Sequence, residues 1–159
     1  MEPPISSSKS SSKNSLALTL TIYLLTPLAM NGLIFGLGWA TPHPANPLLP
    51  PGWAVGTIWM LLFAAMALSR WLVLSNSPAM ANAVDALAFL CLIYPLYTLG
   101  LSSDRIGLAG TIVTALLAIA VVAGLARRCA RAAALTSAVL AWLIYAGVAT
   151  AIGLERGIR

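Results

Sequence analysis

Acidic side chains are almost missing from this chain. Four occur in 159 residues, Glu2, Asp85, Asp104 and Glu155, and no two stand within a helical turn of each other. Acid–base catalysis by a carboxylate pair therefore has no local candidate. Histidine occurs once, as His43 in a Pro-rich stretch with no second ligand beside it. A metal site needs several ligands, so none is read here, and no Ser-His-Asp arrangement is available either. No phosphate-cradling glycine loop precedes a Lys-Ser or Lys-Thr pair. Hydrolase, kinase and metalloenzyme readings have nothing to stand on, and no catalytic residue is assigned. Cysteine occurs twice, Cys91 in an apolar segment and Cys129 in a basic loop. That placement argues against a disulfide and leaves each as a small hydrophobe.

Charge of either sign is scarce. Asp, Glu, Lys and Arg together make up 8% of the chain, against roughly 25% in a soluble domain. Apolar residues make up 60%. A soluble domain of this length could not cover so much apolar side chain with so little polar surface, whereas an integral membrane protein can. The net charge of +5 comes from nine basic residues at segment ends rather than along one face. Nucleic acid is not the partner such a distribution fits; lipid headgroups are.

What the chain does have is length of apolar sequence. Residues 1–15, MEPPISSSKSSSKNS, are too polar to order themselves and read as a disordered tail. Leu16–Ala40 then runs 25 positions without a charge, too long for a signal-peptide core and with no cleavage site after it. Further apolar segments follow at 53–74, 80–100, 106–126 and 132–154, each near the roughly 20 residues that cross a bilayer as a helix. They do not alternate in polarity as barrel strands would. The expected fold is an all-α integral membrane protein, a bundle of five transmembrane helices over 16–154 with a short tail at 155–159. The longest connection, 41–52, reads TPHPANPLLPPG with five prolines. It is stiff and non-helical, and serves either as a lid over the bundle or as a plain connector.

Five spans put the termini on opposite sides. One side then carries Lys9, Lys13, Arg70, Arg127, Arg128 and Arg131, and the other Arg105, Arg156 and Arg159. In an inner or plasma membrane this excess favours a cytoplasmic N-terminus, with the Pro-rich loop on the far face.

Inside the spans the only formal charges are Arg70 and Asp85, each within a turn or two of a span's end on the same side. They are expected to pair and link the second span to the third. Aromatic residues form stripes at helical spacing: Gly56, Trp59, Phe63, Met66 and Arg70 on the second span, and Leu90, Tyr94 and Tyr97 on the third. The fifth carries Ala138, Trp142, Tyr145, Ala149 and Ile152. Interface belts account for Trp39, Trp53 and Trp71, but Trp59, Phe63, Trp142 and Tyr145 lie deeper. Two readings stand for these, core filling and a wall for a ligand. Gly32 and Gly36 make a small-residue pair that lets helices approach, within one bundle or between two copies of a homodimer. Pro27 and Pro95 interrupt the first and third spans and should kink them.

Pro50-Pro51-Gly52-Trp53, followed by Trp59, Phe63 and Met66, resembles the start of the second helix in the TspO/MBR family. These are the tryptophan-rich sensory proteins, also called translocator proteins or peripheral benzodiazepine receptors. The likeness extends through Pro95 to Trp142-Leu-Ile-Tyr145 and Ala149-Thr150, and covers 16–154. Departures occur at Leu48, Leu90, Ile93, Ala141, Tyr145 and Gly153, where the family pattern has Trp, Asn, Trp, Pro, Trp and Asn. A sterol-type pattern late in the fifth span lacks its tyrosine.

The resemblance implies a five-helix bundle, often dimeric, with a pocket under the first loop that binds porphyrins and benzodiazepine-like drugs. Carried over by position, the pocket takes Val55, Gly56, Ile58, Trp59 and Phe63 from the second helix. Ile93 and Tyr94 come from the third, and Tyr145, Ala149 and Ile152 from the fifth. Leu48, Pro50 and Pro51 belong to the lid. No cofactor is required. The function implied is a membrane receptor or sensor for a flat apolar ligand, a porphyrin or haem-related tetrapyrrole. Transport of such ligands and their light-dependent degradation are the alternatives.

Overall fold

Every long apolar stretch of the sequence forms a helix. The structure is a computed structural model and describes residues 8–38, 48–96 and 104–155. The helices are α1 (Ser8–Gly36), α2 (Gly52–Leu74), α3 (Pro78–Pro95), α4 (Asp104–Ala126) and α5 (Ala130–Glu155). All five are long and apolar enough to cross a bilayer, and the described residues contain no strand. Lipid offers no partner to backbone N–H and C=O groups, so a spanning segment must bond them internally, as a helix does. The protein is an integral, multi-pass membrane protein.

Local chemistry sets the helix ends. Pro51 stands just before α2 with φ −59° and ψ 149°, and its carbonyl accepts from the amides of Ala54 at 2.8 Å and Val55 at 3.1 Å. Pro78 opens α3, at a position where its missing N–H would have had no partner anyway. Between α4 and α5 the amides of Arg128 and Cys129 both turn back to the Leu125 carbonyl, at 2.9 and 2.7 Å.

These ends differ in places from the sequence expectation. Helix α1 begins at Ser8, inside the stretch whose composition argues for a disordered tail. Once an apolar span has nucleated a helix, each further residue adds a hydrogen bond at little cost. Helix α3 opens two residues before Met80 because of Pro78, and α5 opens at Ala130 rather than Ala132. Residues 1–7, the stretch 39–47 with Trp39 and His43, the stretch 97–103 with Tyr97, and 156–159 lie outside the described residues.

Helix α2 is the hub, packing on α1, α3 and α5, while α4 packs on α3 and α5. Helix α1 rests on α2 and touches α3 only thinly. Met66, Val73, Val84, Leu87, Leu125 and Leu143 form the fully enclosed centre. The outside is apolar too: Phe35, Leu61, Phe89 and Leu116 are each 60% or more exposed. Lipid tails rather than water meet such a surface. Because lipid is as apolar as leucine, close packing and polar clips hold helices together instead. One clip joins α2 to α5, where Ser69 Oγ donates to the Ala132 carbonyl at 3.1 Å and lies 2.9 Å from Thr136 Oγ1. Another joins α3 to α4, where the hydroxyls of Tyr94 and Thr111 hydrogen-bond at 2.9 Å.

Candidate ligand-binding site

The buried face of α1 reads Thr19, Tyr23, Pro27 and Ile34, a helical spacing that turns these residues toward α2 and α3. Beside them lie half-buried Met30 and Asn31, and Asn31 approaches α2 at Gly56. A side-chain carbon placed on Gly56 would stand 4.0 Å from Asn31 Nδ2, an ordinary contact distance, so the space between the two helices here admits one further carbon and little more. Below that point Pro27, Met30, Asn31, Trp59, Phe63, Cys91, Leu92 and Pro95 line a gap of about 30 Å³ between α1, α2 and α3. Both helix prolines face this one gap. A proline lacks the amide that would bond the preceding turn, and its ring pushes that turn's carbonyl aside, which keeps packing loose there.

Trp59 is the middle of an aromatic chain. Its ring centroid lies 6.1 Å from Phe63 on its own helix and 6.1 Å from Tyr94 on α3. Phe63 in turn meets Tyr23 of α1 edge-on at 6.4 Å. These separations suit tilted and edge-to-face contacts, in which ring edges meet neighbouring faces. Three helices thus contribute to one aromatic wall.

The α5 residues make a second set. Trp142 and Tyr145 pair at 5.5 Å, and the Tyr145 hydroxyl donates to the Leu48 carbonyl. That bond ties the end of the Pro-rich loop to α5. Ala149 is buried, and Val55, Gly56, Ile58, Ile93 and Ile152 are half-buried. Of the residues expected to bind a ligand, the ring contacts join Trp59, Phe63 and Tyr94, whereas Tyr145 pairs with Trp142 and Leu48. Pro50 and Pro51 lead directly into α2.

A polar constellation lies toward the end of the bundle where α2 finishes and α3 starts. Arg70 Nε donates to Asp85 Oδ1 at 2.8 Å and Oδ2 at 2.9 Å. The Tyr23 hydroxyl donates to the same Oδ1 at 2.5 Å. One carboxylate therefore joins α1, α2 and α3.

Sequence reasoning singles out Pro27 as a kink but misses the rest of the α1 contribution, namely Tyr23, Met30 and Asn31. A signal existed. Thr19, Tyr23, Pro27 and Asn31 recur every fourth residue, and three of the four are polar or break the helix ladder. Cys91, read as a small hydrophobe, also reaches the gap wall.

Five helices able to cross a bilayer, three of them enclosing an aromatic gap, define a small polytopic membrane protein. The chain belongs to the TspO/MBR family, whose pattern matches residues 15–152. Comparison with curated proteins and with solved structures gives no significant match.

Proposed function

We propose that this protein is a membrane receptor for a flat apolar ligand of the tetrapyrrole class, held between helices beneath the 41–52 loop. The observation that carries the reading is the placement of Trp59 beside a gap, flanked by Phe63 and Tyr94. An indole there offers a broad face to a flat ring system, worth about 0.5–1.5 kcal/mol beyond area burial. Asn31 adds the polar group at the gap, with two donors and an acceptor to fix orientation.

The gap of about 30 Å³ is a closed state, since pockets for drug-sized ligands run to roughly 300–1,000 Å³. Admission requires helices to part. The thin seam between α1 and α3 is where parting breaks the fewest contacts. In an inner or plasma membrane the basic residues favour a cytoplasmic N-terminus, with the Pro-rich loop on the opposite face.

Titration of the purified protein with protoporphyrin and haem, followed by absorbance in the dark and under illumination, tests the proposal. A saturable spectral shift in the dark is expected. Loss of the porphyrin bands in light alone would move the reading to degradation, and no shift under either condition would overturn the receptor.

A further inference from the structure

A second cavity, of about 250 Å³, lies apart from the aromatic gap and is lined by Leu18, Thr19, Ile22, Tyr23, Arg70 and Asp85. At roughly 30 Å³ per water it has room for about eight. Its α1 wall includes Leu18 and Ile22, 62% and 51% exposed, so it opens on the lipid-facing side. Arg70 is four residues from the end of α2 and Asp85 seven from the start of α3. At 1.5 Å per residue these lie about 6–10 Å inside the helix ends. That is the depth at which headgroups give way to acyl chains.

The hydrogen bonding leaves defined capacity on both charges. Arg70 carries five N–H donors, and its Nε is shared between the two Asp85 oxygens. Among the described residues, its two terminal amines reach no protein acceptor. Among the described residues, Asp85 Oδ1 accepts from Tyr23 and Arg70, whereas Oδ2 accepts from Arg70 alone. A carboxylate offers about four acceptor sites, so one remains, and the side chain is 39% exposed. The pair is neutral overall. A purely anionic group on Arg70 would face Asp85, and a purely cationic one on Asp85 would face Arg70. A group with a phosphate and a primary ammonium satisfies both.

We propose that this cavity binds the phosphoethanolamine headgroup of a membrane phospholipid. The phosphate sits on the terminal amines of Arg70 and the ammonium on Asp85 Oδ2. An acyl chain runs along Leu18 and Ile22. A choline headgroup fails here because its nitrogen has no N–H to donate and carries three methyl groups into the space. This site is independent of the tetrapyrrole reading.

Native mass spectrometry of the purified full-length protein tests the assignment without altering the ion pair. The lipids are phosphatidylethanolamine, its N-methyl and N,N-dimethyl forms, phosphatidylcholine and phosphatidylglycerol, all with the same acyl chains. Bound lipid should fall across the series, most steeply at the last methyl group, which removes the last N–H, and by about tenfold or more overall, as expected for one charge-assisted hydrogen bond lost. A flat series overturns the proposal, as does phosphatidylglycerol binding best. Soluble phosphoethanolamine should compete and inorganic phosphate should not; the reverse order overturns it. Leu18→Trp fills the cavity from an exposed position, so helical circular dichroism and melting should be unchanged while the ethanolamine preference disappears. If that variant keeps both its fold and the preference, the headgroup binds elsewhere and the site is wrong.

Discussion

Arg70 and Asp85 are joined through a single nitrogen, Nε, at 2.8 and 2.9 Å from the two carboxylate oxygens. Tyr23 completes the set from a third helix. The pair is half-exposed, so its worth is below that of a fully buried pair. Asp85→Asn should still destabilise the protein in detergent by about 1–3 kcal/mol, since hydrogen bonds to charged groups are worth about 1.5–3 kcal/mol and solvent screens part of that here. Arg70→Gln in the Asp85→Asn background should cost little more, which a double-mutant cycle of melting temperatures reads directly. Additive losses would mean that the two side chains act independently. Tyr23→Phe should cost about 1.5–3 kcal/mol by the same reasoning, since it removes a donor to a carboxylate.

Trp59 and Trp71 lie on the same helix but should differ in ligand binding. Trp59 lines the gap and contacts two rings, whereas Trp71 lies near the end of α2. Removing the Trp59 indole deletes a stacking face and apolar area at roughly 25 cal/mol per Å². Trp59→Ala should weaken porphyrin binding by about tenfold or more, that is about 1.4 kcal/mol, and Trp71→Ala should change it little. Absorbance titration checks both, with gel filtration and circular dichroism to establish folding. Parent-like binding by Trp59→Ala would leave that ring as core filling.

Gly56 gives a complementary test on the same wall. A single carbon there sits at ordinary contact distance, 4.0 Å, from Asn31, so Gly56→Ala should keep the fold. Gly56→Leu should press on Asn31 and abolish porphyrin binding, at an overpacking cost of about 1–3 kcal/mol. Unaltered affinity in the leucine variant would place the ligand away from the contact of α1 with α2.

Ser69 holds α2 to α5 from a fully buried position. Interhelical hydrogen bonds in membranes average about 0.6 kcal/mol and reach about 1.7. Ser69→Ala should therefore lower stability only slightly. Ser69→Leu should lower it far more, because Ala132 and Thr136 face it with no space to yield. Thermal unfolding in detergent separates the two. Equal losses would assign the whole effect to the hydrogen bond.

Topology follows from the odd number of spans. Reporters placed before Met1 and after Arg159 should report opposite sides of the membrane, with the N-terminal one cytoplasmic by the basic excess. Two reporters on one side would sink the five-span arrangement.

Much of this molecule was legible before any tertiary structure. Leu16–Gly36 and its four successors are spans because a bilayer has one thickness and an apolar run of that length has one way to cross it. The pairing of Arg70 with Asp85 could be read for a similar reason: they are the only formal charges inside the apolar segments 16–40, 53–74, 80–100, 106–126 and 132–154, on the same side of adjacent helices. The stripe of Trp59 and Phe63 came from helical spacing alone.

Neighbour relations among the helices were not legible, because every helix is apolar around most of its surface and no amphipathic stripe says which face meets which partner. Only packing placed α2 at the hub and left α1 resting thinly on α3. That choice turned Tyr23 toward Asp85, brought Asn31 beside Gly56, and set the gap between α1, α2 and α3. Length and hydropathy depend on the bilayer and so are written in each segment separately. Contacts between segments depend on how side chains of five helices interlock at once, and only the folded bundle decides that.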